Sequence, residues 1–146
     1  MHIFMPTIIW LDTDSNNPSN SFLIKLNDYQ DVQTFTNIDQ CISYIKSHPE
    51  QIIFLIVPGT FGAQIVPEIY ELSSISMIFV FCSNMKAHID WAIDFSDKLS
   101  MFDHEDDLLQ NLWSEIENYS REQSKQYIKF ADECKERSKQ LQQSCG

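Results

Sequence analysis

Two apolar runs, residues 52–57 (Ile-Ile-Phe-Leu-Ile-Val) and 76–82 (Ser-Met-Ile-Phe-Val-Phe-Cys), constrain this chain more than any other feature. A strand with one face in water alternates polar and apolar residues. These two do not, so both of their faces must be covered, as in the centre of a parallel sheet flanked by helices. The first run ends in Pro58-Gly59-Thr60-Phe61-Gly62, which reads as a tight turn into a helix. Weaker strand-like runs lie at 7–11, 32–35 and 98–102.

Helix-like stretches alternate with these runs. Asn17-Pro18 reads as an N-cap followed by proline at the first helical position, opening a helix that turns Phe22, Leu23 and Leu26 inward. Thr36-Asn37-Ile38-Asp39 resembles a capping box, and Ile38, Cys41, Ile42 and Ile45 follow at the spacing of one helix face. A third helix is expected over about 63–72, with Pro67 tolerable only near its first turn. A fourth is expected over about 86–94, with Ile89 and Ile93 flanking Trp91, and a fifth begins near Glu105 with Leu108, Leu109, Leu112 and Ile116.

Strands alternating with helices imply parallel strands joined by right-handed crossovers. Five such units in residues 1–118 predict an α/β, flavodoxin-like three-layer sandwich with strand order 2-1-3-4-5. From about Tyr119 the composition turns to Gln, Lys, Glu and Ser, and residues 119–146 read as a polar helical extension or linker. Tyr127, Phe130, Cys134 and Leu141 form a thin stripe on it, too short for a coiled coil.

Charge narrows the partners. The net charge is −11, and residues 1–118 hold 17 acids against four lysines and no arginine, a balance of −13. Such a body repels nucleic acid and anionic membranes, so neither is expected as a partner. No apolar run reaches the roughly 20 residues of a membrane span, and Met1 to Pro6 lacks the basic start of a signal peptide. Cys41, Cys82, Cys134 and Cys145 show no C-x-x-C spacing and read as reduced thiols of a cytoplasmic protein.

In the 2-1-3-4-5 winding, ligands sit at the carboxyl ends of strands one and three. Here that edge carries Asp12 and Asp14 after strand one, Gly59 and Thr60 after strand three, Ser83 and Asn84 after strand four, and Asp103 and His104 after strand five. Asp12 and Asp14 suit a weak cation site, or equally a strand-end loop and helix cap. Gly59 and Thr60 precede a helix N-terminus, which attracts anions, but lack the lysine and spacing of a P-loop and suit a structural turn. Ser83 and Asn84 are expected to cap helix four. Cys82 and His104 end adjacent strands, yet nothing marks them as a nucleophilic pair.

This arrangement resembles the receiver domain of two-component response regulators over roughly residues 7–118. The resemblance implies Mg²⁺-binding acids after strand one, matched by Asp12 and Asp14, and a hydroxyl after strand four, matched by Ser83. It also implies a phosphoacceptor aspartate ending strand three and a lysine ending strand five. Val57-Pro58 and Phe102-Asp103 stand there instead, and Lys98 lies at the wrong end of its strand. A phosphoryl acceptor must be a nucleophile, and Mg²⁺ needs several hard oxygen ligands, so the chain looks like a pseudo-receiver. It is also loosely similar to an N-terminal module preceding ADP-ribosyltransferase or tetratricopeptide-repeat regions in invertebrate multidomain proteins.

The expected function is a non-catalytic, regulatory protein-interaction module with no cofactor and no metal. Its partner would be another protein or an adjacent domain of a larger chain, and it would be a monomer or weak dimer. The alternative is a small-ligand or phosphate/nucleotide sensor using Asp12, Asp14, Gly59, Thr60, Ser83, Asn84 and His104.

Overall fold

The computed structural model describes residues 5–145. Five strands, β1 (Thr7–Leu11), β2 (Val32–Phe35), β3 (Ile53–Pro58), β4 (Ile75–Phe81) and β5 (Leu99–Phe102), alternate with helices α1 (Ser21–Leu26), α2 (Ile38–Ser47), α3 (Gly59–Ile69), α4 (Ile89–Ala92) and α5 (Glu105–Cys145). They form one sheet of order β2-β1-β3-β4-β5, and every pairing is parallel. The expected winding is the observed one. Its cause is visible in β3, whose residues Ile53 to Val57 are buried without a break between β1 and β4.

The two pleats of the sheet carry different cores. On one, Ile9, Leu11, Leu55, Val57, Ile78 and Val80 pack with Cys41 and Ile45 of α2 and Ile65, Val66 and Ile69 of α3. The other carries Ile8, Trp10, Phe54, Ile56 and Phe79, with the Phe22 ring of α1 4.9 Å from that of Trp10. Phe79 lies between Phe54 and Phe102, each with ring centroids 6.3 Å away. α2 fulfils its amphipathic pattern, with Cys41 and Ile45 fully buried.

Local chemistry moved several boundaries. α1 begins at Ser21, not at Pro18, because Asn17 serves the preceding loop and Asn20 is the helix cap. The Asn17 side chain accepts from Ser19 N, and the Asn20 side chain caps Phe22 N and Leu23 N. The cap of α2 is Asn37, which accepts from Gln40 N at 3.0 Å, one residue beyond the expected Thr36. α3 begins at Gly59, with no intervening turn, and ends at Ile69. Pro67 sits deep in that helix rather than in its first turn. It is accommodated because Pro67 and Ala63, whose carbonyl loses its donor, both lie on the exposed face.

The fourth helix is not continuous. A 3₁₀ turn at Met85–Ala87, the four-residue α4 and a second 3₁₀ turn at Ile93–Phe95 replace it. The break falls at His88, whose φ of −116° departs far from the regular helical value of about −63°. Asn84 flanks the first turn without a side-chain cap bond, so the expected capping by Ser83 and Asn84 does not occur.

The chain divides into two units, the α/β unit up to Leu112 and a helical unit from Trp113. α5 spans 41 residues, about 60 Å. Leu108, Leu109 and Leu112 are buried, whereas from Ser124 to Ser144 every side chain is exposed, including Tyr127, Phe130, Cys134 and Leu141. No helix among the described residues is long and apolar enough to cross a membrane. A chain ending at Asn118 should therefore fold and melt within about 1 kcal/mol of the full chain. Thermal melts and light scattering of the two lengths check this; an insoluble short form would show that the exposed stripe is needed for folding.

Candidate functional site

The carboxyl edge of β1 and β3 opens into a crevice of about 180 Å³. Its floor is Ile56, Val57 and Pro58, the end of β3. Three rings wall it: Trp10 from β1, Phe22 from α1 and Phe81 from the end of β4. Trp10 and Phe22 are almost wholly buried, while Phe81 is 38% exposed. Asp12, Asn20, Ser21 and Glu105 form the polar rim.

The crevice exists because β1 and β3 are neighbours whose following segments leave in different directions, the topological switch point of this winding. The chain leaves β1 through a loop held by its own side chains. Asp12 Oδ1 accepts from Asp14 N at 3.0 Å and from Thr13 Oγ1 at 3.4 Å. Asp14 accepts from Asn17 Nδ2 and, at 2.6 Å, from Asn20 Nδ2. Ser15 is buried and its hydroxyl donates to the Phe35 carbonyl. This lattice carries Asn20 and Ser21 to the rim. At the other side, Lys25 Nζ lies 3.0 Å from Glu105 Oε1 and 3.3 Å from Asp106 Oδ1.

Of the seven residues singled out in the sequence, only Asp12 lines the crevice. Asp14 stands behind it, tied to two asparagines. Thr60, Ser83 and Asn84 are exposed. His104 is also exposed, with Nε2 3.8 Å from Asp103 Oδ1. Among the described residues no three His, Cys, Asp or Glu side chains converge as a metal-binding group. Asn20, Ser21 and Glu105 were not legible as rim residues, since their distance in sequence from Asp12 gives no periodic signal. The one clue was Asn20 immediately before an apolar helix start.

Gly59 and Gly62 have a use that the sequence did not reveal. Neither has positive φ, so neither is there for a turn. A Cβ on Gly59 would lie 2.5 Å from His88 Nε2, and one on Gly62 would lie 2.9 Å from the Trp91 ring. The Trp91 indole N–H donates to His88 Nδ1 at 3.0 Å, fixing the two rings as one unit against α3. These glycines are where α3 lets that unit approach its backbone.

The last residues of β3, β4 and β5 carry no nucleophilic side chain. Pro58 pairs with Phe81 and Phe81 with Phe102, so a row of proline and phenylalanine crosses the edge. Lys98 precedes β5 and donates to the Tyr70 carbonyl at 2.8 Å, at the opposite edge of the sheet. Cys82 is buried; burial, and then the nearby charge of Asp103, push its thiol up, opposite to what a nucleophile needs. Burial pushes the Cys41 thiol up to about 12. Iodoacetamide should therefore modify the exposed Cys134 of the native protein and spare Cys41 and Cys82 until urea is added, as read by peptide mass mapping. Native modification of Cys41 would show that α2 opens from the sheet.

No protein-family model matches the chain, and no curated protein and no solved structure matches it.

Proposed function

We propose that the α/β unit is a non-catalytic protein-binding module on a receiver-like scaffold, a pseudo-receiver that works in the cytoplasm and regulates by docking rather than by phosphoryl transfer. One observation carries the reading: β3 ends in Val57 and Pro58, where phosphoryl transfer needs a carboxylate. Val57 is wholly buried, and Pro58, the last residue of β3, is the cap position before α3, so neither position offers a carboxylate.

The docking half rests on an apolar surface beside β5. Ile89 is 44% and Ile93 64% exposed, and with Ala92, Leu99 and Met101 they line a shallow groove. An exposed apolar patch is where a soluble protein meets a partner when the patch is contiguous, and Ile89 and Ile93 share this groove.

Two measurements test the reading. Beryllofluoride with Mg²⁺ should leave amide shifts and melting temperature unchanged; a saturable, Mg²⁺-dependent shift would overturn the non-catalytic assignment. Ile93→Asp should leave the melting temperature unaltered, because the side chain is mostly in water, and should abolish retention of any protein that the wild type captures and that binds it when purified. Equal retention by the variant would remove the groove as the docking surface.

A further inference from the structure

From the crevice at the β1/β3 edge we infer a binding site for a small organic cation, an ammonium or guanidinium group held against aromatic rings. This inference stands apart from the docking surface beside β5 and from the absent phosphoryl chemistry.

Size comes first. Sites for drug-sized ligands and nucleotides occupy roughly 300–1,000 Å³. At about 180 Å³ the crevice takes a headgroup, not a nucleotide.

Charge decides the sign. Asp12 and Glu105 are on the rim, and none of the described residues lining the crevice is basic. The nearest lysine shown in contact with the rim, Lys25, is already shared between Glu105 and Asp106, so these four groups sum to −2. The surrounding unit, up to Leu112, holds 15 acids against four lysines, which raises the local concentration of cations. An anion would meet two carboxylates and no basic side chain. The N–H groups opening α1 are held by Asn20 Oδ1, and Gly59 and Thr60 at the start of α3 are not among the walls. The phosphate or nucleotide alternative is thereby disfavoured at this place.

The walls suit the same class. The negative faces of aromatic rings attract a cation within about 6 Å, most strongly when the site is partly dry. Trp10, the strongest type of ring for this purpose, lines the crevice beside Phe22, and Phe81 is the exposed ring. Metal ions fit less well. Asp12 Oδ1 is engaged with Asp14 N and Thr13, no third carboxylate joins it, and a hard ion gains little from rings.

The test is NMR titration of the ¹⁵N-labelled full chain. The signals followed are the Trp10 indole N–H and the Asn20 side-chain amide. Choline should shift both saturably, with a Kd of about 0.1–10 mM. Its neutral isostere 3,3-dimethylbutan-1-ol should bind at least about tenfold more weakly, and inorganic phosphate should not shift them. Asp12→Asn keeps the Oδ1 acceptor that holds the loop, and should weaken choline about threefold or more, as should Glu105→Gln. Phe81→Ala should weaken it similarly. Glu50→Gln, at the opposite edge of the sheet, should change nothing. Agmatine and an acetylated, amidated Gly-Arg-Gly peptide distinguish the source. Tighter binding of agmatine assigns a free amine, and equal or tighter binding of the peptide assigns a partner's side chain. Equal affinity for the neutral isostere, a saturable response to phosphate, or no saturable response to any cation would overturn the inference.

Discussion

Leu55→Ala should destabilise the protein by about 2–5 kcal/mol. Leu55 is fully buried at the middle of β3, paired with Ile9 of β1 on one side and Ile78 of β4 on the other. Removing three carbons loses their transfer free energy. It also leaves a void that the sheet cannot close, since hydrogen-bonded neighbours hold β3 from both sides. A domain of this size has about 5–15 kcal/mol of total stability, so the loss is a large fraction of it. For roughly 150 residues, each kcal/mol lowers the melting temperature by about 2–4 °C. Urea denaturation should show a lower midpoint with an unchanged slope. A change below about 0.5 kcal/mol would mean that β3 is not the centre of the core.

Gly59→Ala should cost about 1–3 kcal/mol although alanine is the better helix former by about 1 kcal/mol. The added methyl would stand 2.5 Å from His88 Nε2, closer than unbonded atoms approach. The imidazole cannot simply turn away, because its Nδ1 accepts the Trp91 indole N–H and Trp91 in turn lies against Gly62. A double-mutant cycle separates this from a general helix effect. His88→Ala should restore about 1 kcal/mol or more in the Gly59→Ala background while costing stability on its own. If Gly59→Ala instead stabilises the protein, helix propensity has won and the close approach of His88 to α3 carries no energetic weight. Gly62→Ala should behave in the same direction against the Trp91 ring.

The outcome at α4 shows why some of the sequence could be read and some could not. Periodicity finds α2, because Ile38, Cys41, Ile42 and Ile45 report one buried face over consecutive turns. The same rule applied to residues 86–94 expects a helix. What forms instead is a short helix between two 3₁₀ turns, because the φ of His88 departs from the regular helical value and its ring is engaged with Trp91 and packed on Gly59. That contact lies 29 residues away in sequence and has no period. The start of α1 moved for a related reason. Asn17, Asn20 and Asp14 all favour both caps and loops, and only the hydrogen bonds among them decided which did which.

The sequence by itself determined the architecture. Unbroken apolar runs at 52–57 and 77–82 demand cover on both faces, and right-handed crossovers leave few ways to connect five such units. It also determined that β3 ends in Val57 and Pro58, which have no carboxylate. The tertiary structure alone decided the candidate site. It took Asp12 from the expected edge residues, left Asp14 in the loop behind it, and joined it to Trp10, Asn20, Phe81 and Glu105. It also turned Gly59 from a turn residue into a packing surface for His88. Burial is a local property that composition and period record. Convergence of side chains from β1, α1, β4 and α5 depends on how loops close in three dimensions, and residue order leaves no trace of that until the chain has folded.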